Sequence, residues 1–167
     1  TRRHPHLGCV QHGPAGIDLM YRATREAVRL VDDVDWTGVT AQFARPTSDA
    51  SAGTWTASTG SDLYAMIDET AASDADYITT VNASTCEVAL GSLSDPASSS
   101  GHIVRYRLSA EAGGVTVRLR QGTTTIASWT HSPAPASLTT YAQTLSGGEA
   151  DSITDYTALK LQFEATE

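Results

Sequence analysis

"VTVRLRQGTTTIASWTH", residues 115–131, alternates apolar and polar side chains, breaks at Gly122-Thr123-Thr124, and resumes in an extended-looking run. In an extended chain successive side chains point to opposite faces, so Val115, Val117 and Leu119 share one face while Arg118 and Arg120 share the other. A helix would mix the two sets. The run therefore predicts a half-buried strand over 115–121 that turns at 122–124 into a second strand. "HIVRYRLSAE" repeats the device, with Val104, Tyr106 and Leu108 opposed to Ile103, Arg105 and Arg107. "ALKLQFEAT" (158–166) sets Leu159, Leu161 and Phe163 against Lys160, Gln162 and Glu164.

Weaker runs of the same kind fill the rest of the chain. "VTAQFAR" (39–45), "GTWTAS" (53–58), "LYAMID" (63–68), "DYITTVN" (76–82), "CEVALGSL" (86–93) and "LTTYAQTL" (138–145) each read as a short strand between turn residues. "SDPASSSG" (94–101) reads as a loop. "SGGEADSITDY" fits a short helical turn, with Ser146 or Gly147 at its start and Glu149 and Asp151 near its N-terminal end. Roughly nine short strands at intervals of about eight to twelve residues predict a mainly β fold, an antiparallel jelly-roll-like β-sandwich over 36–167. Its expected core is Trp55, Leu63, Ile67, Val88, Val104, Tyr106, Leu108, Val117, Leu119, Ile126, Leu145, Ile153, Leu159, Leu161 and Phe163.

Residues 1–35 differ in texture and are expected to form an N-terminal docking arm. From Pro14 to Asp33, Ile17, Met20, Tyr21, Ala27, Val28 and Val31 fall near helical spacing, which supports a short helix. "YRATREAVRLV" also alternates, which supports a strand, and period alone does not separate the two. Charge is asymmetric as well: Arg2, Arg3, Arg22, Arg25 and Arg29 against Asp18 and Glu26 balance at +3 for residues 1–31, which leaves −11 of the net −8 for the remainder. An acidic body argues against nucleic acid, whose binders need a basic stripe to displace counterions. Apolar runs are far short of the ~20 residues that cross a bilayer, and no charged segment followed by an apolar one marks a signal peptide, so a soluble chain without membrane insertion is expected.

His4, His6, Cys9 and His12 have the ligand types and number for zinc. Their spacing compresses them into one short stretch beside Pro5 and Pro14, without the carboxylates that orient metal-bound imidazoles. No metal or other cofactor is expected, with that quartet as the alternative. Cys9 and Cys86 read as two separate reduced thiols, Cys86 as a small core residue. The carboxylates Asp62, Asp68, Glu69, Asp74 and Asp76 lack the order of a calcium loop, and neither a G-x-S-x-G elbow nor a P-loop is present, so no enzyme is expected. His102 and His131 read as residues at the rims of strands. Trp36, Trp55, Tyr64, Tyr77, Trp129 and Tyr141, the three tryptophans foremost, offer a stacking platform for a sugar ring, weighed against ordinary core packing.

The stretches "SAGTWTASTGSDLYAMIDETAASDADYI", "GHIVRYR", "VRLRQGTTTIASWTH" and "TYAQTLSGGEADSITDYTALKLQF" resemble a domain of accessory virion structural proteins in tailed bacteriophages and related particles. The resemblance spans about residues 50–167 and rests on the pattern of turns and strands. It implies a β-sandwich of jelly-roll or carbohydrate-binding-module type, assembled in the host cytoplasm into a virion as a capsid-decoration, head or tail component. The expected function is then non-enzymatic: an arm docks on neighbouring capsid or tail subunits, in many copies or as a homo-oligomer, and the sandwich projects. Arg2 and Arg3 would meet acidic groups on the partner, and Met20, Tyr21, Val28 and Val31 would supply an apolar anchor. The alternative is a carbohydrate-binding module for a host surface glycan.

Overall fold

The computed structural model describes residues 22–23, 28–30, 41–71 and 73–167. Their strands are β1 (Arg22–Ala23), β2 (Val28–Leu30), β3 (Gln42–Ala44), β4 (Pro46–Ser51), β5 (Thr56–Ala57), β6 (Ile78–Thr79), β7 (Ser84–Leu90), β8 (His102–Leu108), β9 (Gly114–Gln121), β10 (Thr124–His131), β11 (Thr139–Thr144) and β12 (Leu159–Thr166), with one short helix, α1 (Gly147–Asp151). One sheet has the order β10-β9-β12-β7-β4, a second β11-β8-β2-β3, and a small third β1-β6-β5. Every pairing is antiparallel. After β7 the chain crosses between the two larger sheets at each connection except the β9–β10 hairpin. The architecture is a mainly β, antiparallel sandwich.

Alternation in the sequence becomes alternation in burial. Leu159, Leu161, Phe163 and Ala165 are buried along β12 while Lys160, Gln162 and Glu164 are half-buried between them. Register then aligns the apolar residues into rows: Phe163 pairs with Cys86 and Val117, and Leu161 with Val88 and Leu119. Val104, Tyr106 and Leu108 of β8 join the same core from the other sheet. Each such side chain, fully buried, contributes roughly 1.5–3 kcal/mol, so rows of this kind hold the sandwich shut. The β9–β10 hairpin turns on Gly122-Thr123, with Gly122 at φ 57°, the positive value that the first central position of a primed turn requires.

Four expectations change. "LYAMID" is a 3-10 turn over Tyr64–Met66 instead of a strand: Leu63 and Ile67, four apart, both reach the core, and the Asp49 carboxylate accepts the Leu63 and Tyr64 N–H groups at 2.8 and 2.7 Å. "PTSDAS", which is not among the runs the sequence marks as strands, is the edge strand β4, with Pro46 at its first position and only its far side exposed to pairing. Within residues 14–33 the described pieces are the strands β1 and β2, so the strand reading prevails there over the helix. Val28 to Leu30 pair with His102 to Val104 on one side and Gln42 to Ala44 on the other, and so lie inside a sheet although they precede residue 35. His102 is fully buried, with nothing of a rim about it.

The helical turn after β11 is where the sequence places it. Ser146 and Glu149 form a reciprocal cap, Ser146 Oγ accepting from the Glu149 N–H while the Glu149 carboxylate accepts from the Ser146 N–H.

Candidate functional site

β10 and β11 are the outer strands of the two large sheets, and their inward-facing residues meet at one lateral edge of the sandwich. On β11, Thr139, Tyr141 and Gln143 are half-buried and alternate with exposed Thr140, Ala142 and Thr144. On β10 the register shifts between Thr125 and Ala127, after which Trp129 and His131 are half-buried between exposed Ser128 and Thr130. An edge strand has a neighbour on one side only, so these side chains stay partly open to solvent. Beneath them lies Tyr106 of β8, fully buried and paired directly with Tyr141.

The rings form one cluster. Tyr106 lies 6.1 Å from Trp129, 5.6 Å from His131 in an edge-on arrangement and 5.4 Å from Tyr141, and His131 and Tyr141 lie 4.1 Å apart between centroids with their planes tilted by 40°. A polar chain runs through them: Gln143 Nε2 donates to the Tyr106 hydroxyl at 3.1 Å, and that hydroxyl is 2.8 Å from His131 Nε2. With Gln143 donating to the hydroxyl, the arrangement that also gives the Tyr106 O–H an acceptor has it donate to His131 Nε2, with the ring's own proton on Nδ1. Burial lowers the His131 pKa below its ordinary value and, as the largest influence, pushes that of Tyr106 far up. Both groups are neutral at pH 7. The result is an uncharged edge site, the edge groove, in which aromatic rings lie beside an amide and an imidazole edge, suited to stacking and hydrogen bonding, with no charged group in the ring cluster among the described residues.

Two other polar clusters are self-contained. On the outward face of the five-stranded sheet, the buried Glu87 carboxylate accepts from Arg120, from Lys160 Nζ at 2.8 Å and from Gln162 Nε2 at 3.2 Å. Arg118 holds Glu164 at 2.6 Å and Gln162 Oε1 at 3.0 Å, so Gln162 links the two ion pairs. Burial raises the Glu87 pKa, but the hydrogen bonds and charges of Lys160 and Arg120 outweigh it and leave the group below the usual carboxylate range. His102 Nε2 and the Tyr156 hydroxyl are 2.8 Å apart in the interior. A cavity of about 900 Å³ opens at the end of the sandwich among the loops carrying Asn82, Ser109, Glu111 and Ser137 and the C-terminal Glu167. No aromatic ring or histidine is among its described lining residues.

Of the sequence-predicted site residues, Trp129 and Tyr141 are in the edge cluster. Trp55 is not available to a sugar: it is 4% exposed, its Nε1 donates to the Ser84 carbonyl at 3.2 Å, and its ring lies 6.4 Å from that of Phe163 in the core. Val28 is placed in β2 by its backbone pairing. Trp36, Arg2, Arg3, Met20, Tyr21, Val31 and the quartet His4, His6, Cys9 and His12 lie outside the described residues. Cys86 is a free thiol buried in the core. Among the described residues, no group of three or more His, Cys, Asp or Glu side chains is arranged to hold a metal, and no helix is long and apolar enough to cross a membrane. The sequence names Tyr106 for the core, His131 for a strand rim and Tyr141 for the stacking platform without joining them, and does not single out Gln143, because β8, β10 and β11 come together only in the fold. The available signal was that each falls on the inward phase of its strand while carrying a polar atom.

Comparison with protein-family models, with curated proteins and with solved structures gives no match.

Proposed function

We propose that the chain is a non-enzymatic, glycan-binding β-sandwich module whose ligand site is the edge groove of Trp129, His131 and Tyr141. One observation carries the reading: two edge strands present half-buried aromatic rings and an amide side by side over a buried tyrosine, with no charge among them. Sugar rings offer apolar C–H faces to aromatic side chains and hydroxyls to amides and imidazoles, so an uncharged saccharide is the matching ligand class. The test is a glycan array with the full chain, followed by titration calorimetry of any glycan retained. Trp129→Ala and Tyr141→Ala are each expected to weaken binding at least about tenfold, the loss of one ring contact, while far-ultraviolet dichroism stays that of the parent. Retention of full affinity in both variants would remove the groove from the reading.

The resemblance to accessory virion proteins supplies a setting, in which many copies on a particle convert weak sugar contacts into adhesion to a host surface. The basic balance of residues 1–31 against the acidic remainder supports a separate docking role for the N-terminal residues. Deleting residues 1–14 is expected to abolish incorporation into particles in that setting, and full incorporation without them would overturn it.

A further inference from the structure

We propose that His131, Tyr106 and Gln143 form a relay in which the proton on His131 sets the hydrogen-bonding sign of the groove. With His131 neutral, Gln143 presents its carbonyl oxygen to a ligand; with His131 protonated, Gln143 presents its amide hydrogens instead.

The geometry requires the coupling. Tyr106 has one hydroxyl proton, and its ring is fully buried, so water cannot serve as a substitute partner. Gln143 Nε2 donates to that hydroxyl at 3.1 Å, so the acceptor left for the Tyr106 proton is His131 Nε2 at 2.8 Å, and Gln143 Oε1 is the amide atom not engaged with Tyr106. A proton taken from solvent by His131 sits on Nε2 and turns that atom into a donor. Tyr106 then accepts from His131, and its own O–H needs a new acceptor. Gln143 Oε1 is the acceptor within reach, brought in by a half-turn of the terminal amide that leaves every heavy-atom contact in place. All three members stay hydrogen-bonded in either state, so the sheet need not open for the sign to reverse.

The surroundings favour a clean titration. The titratable groups that face His131 are Tyr106 from β8 and Tyr141 from β11; its partner across β9 is Val115, and among the described residues no carboxylate, lysine or arginine influences the ring. Burial holds its pKa below 6.5, so the neutral state is the resting one at pH 7. In that state the groove offers the Gln143 oxygen as an acceptor for sugar hydroxyls. In the protonated state it offers the amide hydrogens together with a positive ring, a set that favours a carboxylated saccharide. This consequence for ligands rests on the proposed glycan role of the groove, whereas the relay does not.

The isotopically labelled full chain is titrated by NMR, without ligand, from roughly pH 8 to pH 5, a window that spans the ordinary histidine range. The His131 ring protons and the Gln143 side-chain amide signals are expected to move with one shared midpoint below 6.5. Titration of His131 with unmoved Gln143 amide signals would overturn the relay. His131→Phe keeps an aromatic ring against Tyr141 and is expected to silence the Gln143 titration; should that variant not fold, co-titration in the parent decides the matter alone. A parallel array of uncharged and carboxylated oligosaccharides at both ends of the window is expected to show uncharged ligands weakened roughly tenfold on acidification, about one hydrogen bond, and carboxylated ones strengthened. Equal retention of uncharged ligands at both ends would overturn the reversal of ligand preference. No retention at either end would overturn the glycan role itself, with the relay still judged by the co-titration.

Discussion

Glu87 is the residue at which polar chemistry most affects stability. It stands on the outward face of β7 yet is only 7% exposed, because Lys160 and Gln162 of the adjacent β12 and Arg120 of β9 beyond it close over its carboxylate. Replacing a paired group of this kind removes attraction and also leaves cations facing one another. Glu87→Ala is therefore expected to destabilise the fold by about 2 kcal/mol, below the 3–5 of a fully buried pair because Arg120 and Lys160 are partly open to water. Urea denaturation measures this, and a loss under a few tenths of a kcal/mol would show that the network only decorates the sheet. Glu87→Gln, which keeps two polar atoms in the same volume, should cost less than Glu87→Ala. Trp55 makes the opposite case: the sequence places it both in the core and on a surface platform, and it is core, where its indole N–H finds a backbone carbonyl and needs no water.

At the level of elements, local rules and non-local pairing divide the outcome between them. α1 is only five residues long, and it exists because Ser146 and Glu149 satisfy its first N–H groups and Ala150 packs inward. Ser146→Ala should cost about 1 kcal/mol, and hydrogen exchange at Ala150 and Ser152 should rise more than exchange in the adjoining strands β11 and β12. Exchange that rises equally everywhere would contradict a local cap. Elements built on local signals were readable in advance: the alternation in β8, β9 and β12, the glycine turn of the hairpin and the serine cap all act within a few residues. β4 was not readable, because "PTSDAS" has no apolar phase and becomes a strand only by pairing with β7. Nor was β2, where alternation and helical spacing coexist and the choice falls to the open strands β8 and β3 on either side. "LYAMID" went the other way, since Asp49, contributed by a distant strand, caps a 3-10 turn there. The edge groove has the same non-local origin, and its polar chain only exists once β8, β10 and β11 are side by side.

For the molecule as a whole, the buried titratable groups bound the pH range of stability on both sides. Burial lowers the pKa of both His102 and His131 below the 6.5 of an exposed imidazole, so on acidification the unfolded chain takes up these protons first and stability falls from pH 6.5 downward to the folded values. Glu87 sits below its ordinary 4.5 in the folded chain, and its contribution is complete above that value and drains away beneath it. The acid limb should therefore descend in two stages. On the alkaline side burial raises Cys86 from 9.0, and Tyr106 and Tyr156 from 10.0, so the unfolded chain loses these protons first and stability declines from about pH 9 upward. Calorimetric melts across this span should trace a plateau between about pH 7 and pH 9 flanked by both declines. The two histidines can be separated within the upper acid stage, since His102 is enclosed with Tyr156 while His131 keeps its partners through the relay. His102→Gln should remove most of the fall between pH 6.5 and the carboxylate stage, and His131→Phe a smaller part. A melting temperature that stays level from neutrality down to the carboxylate stage in the parent chain would mean that neither histidine is held neutral by the fold.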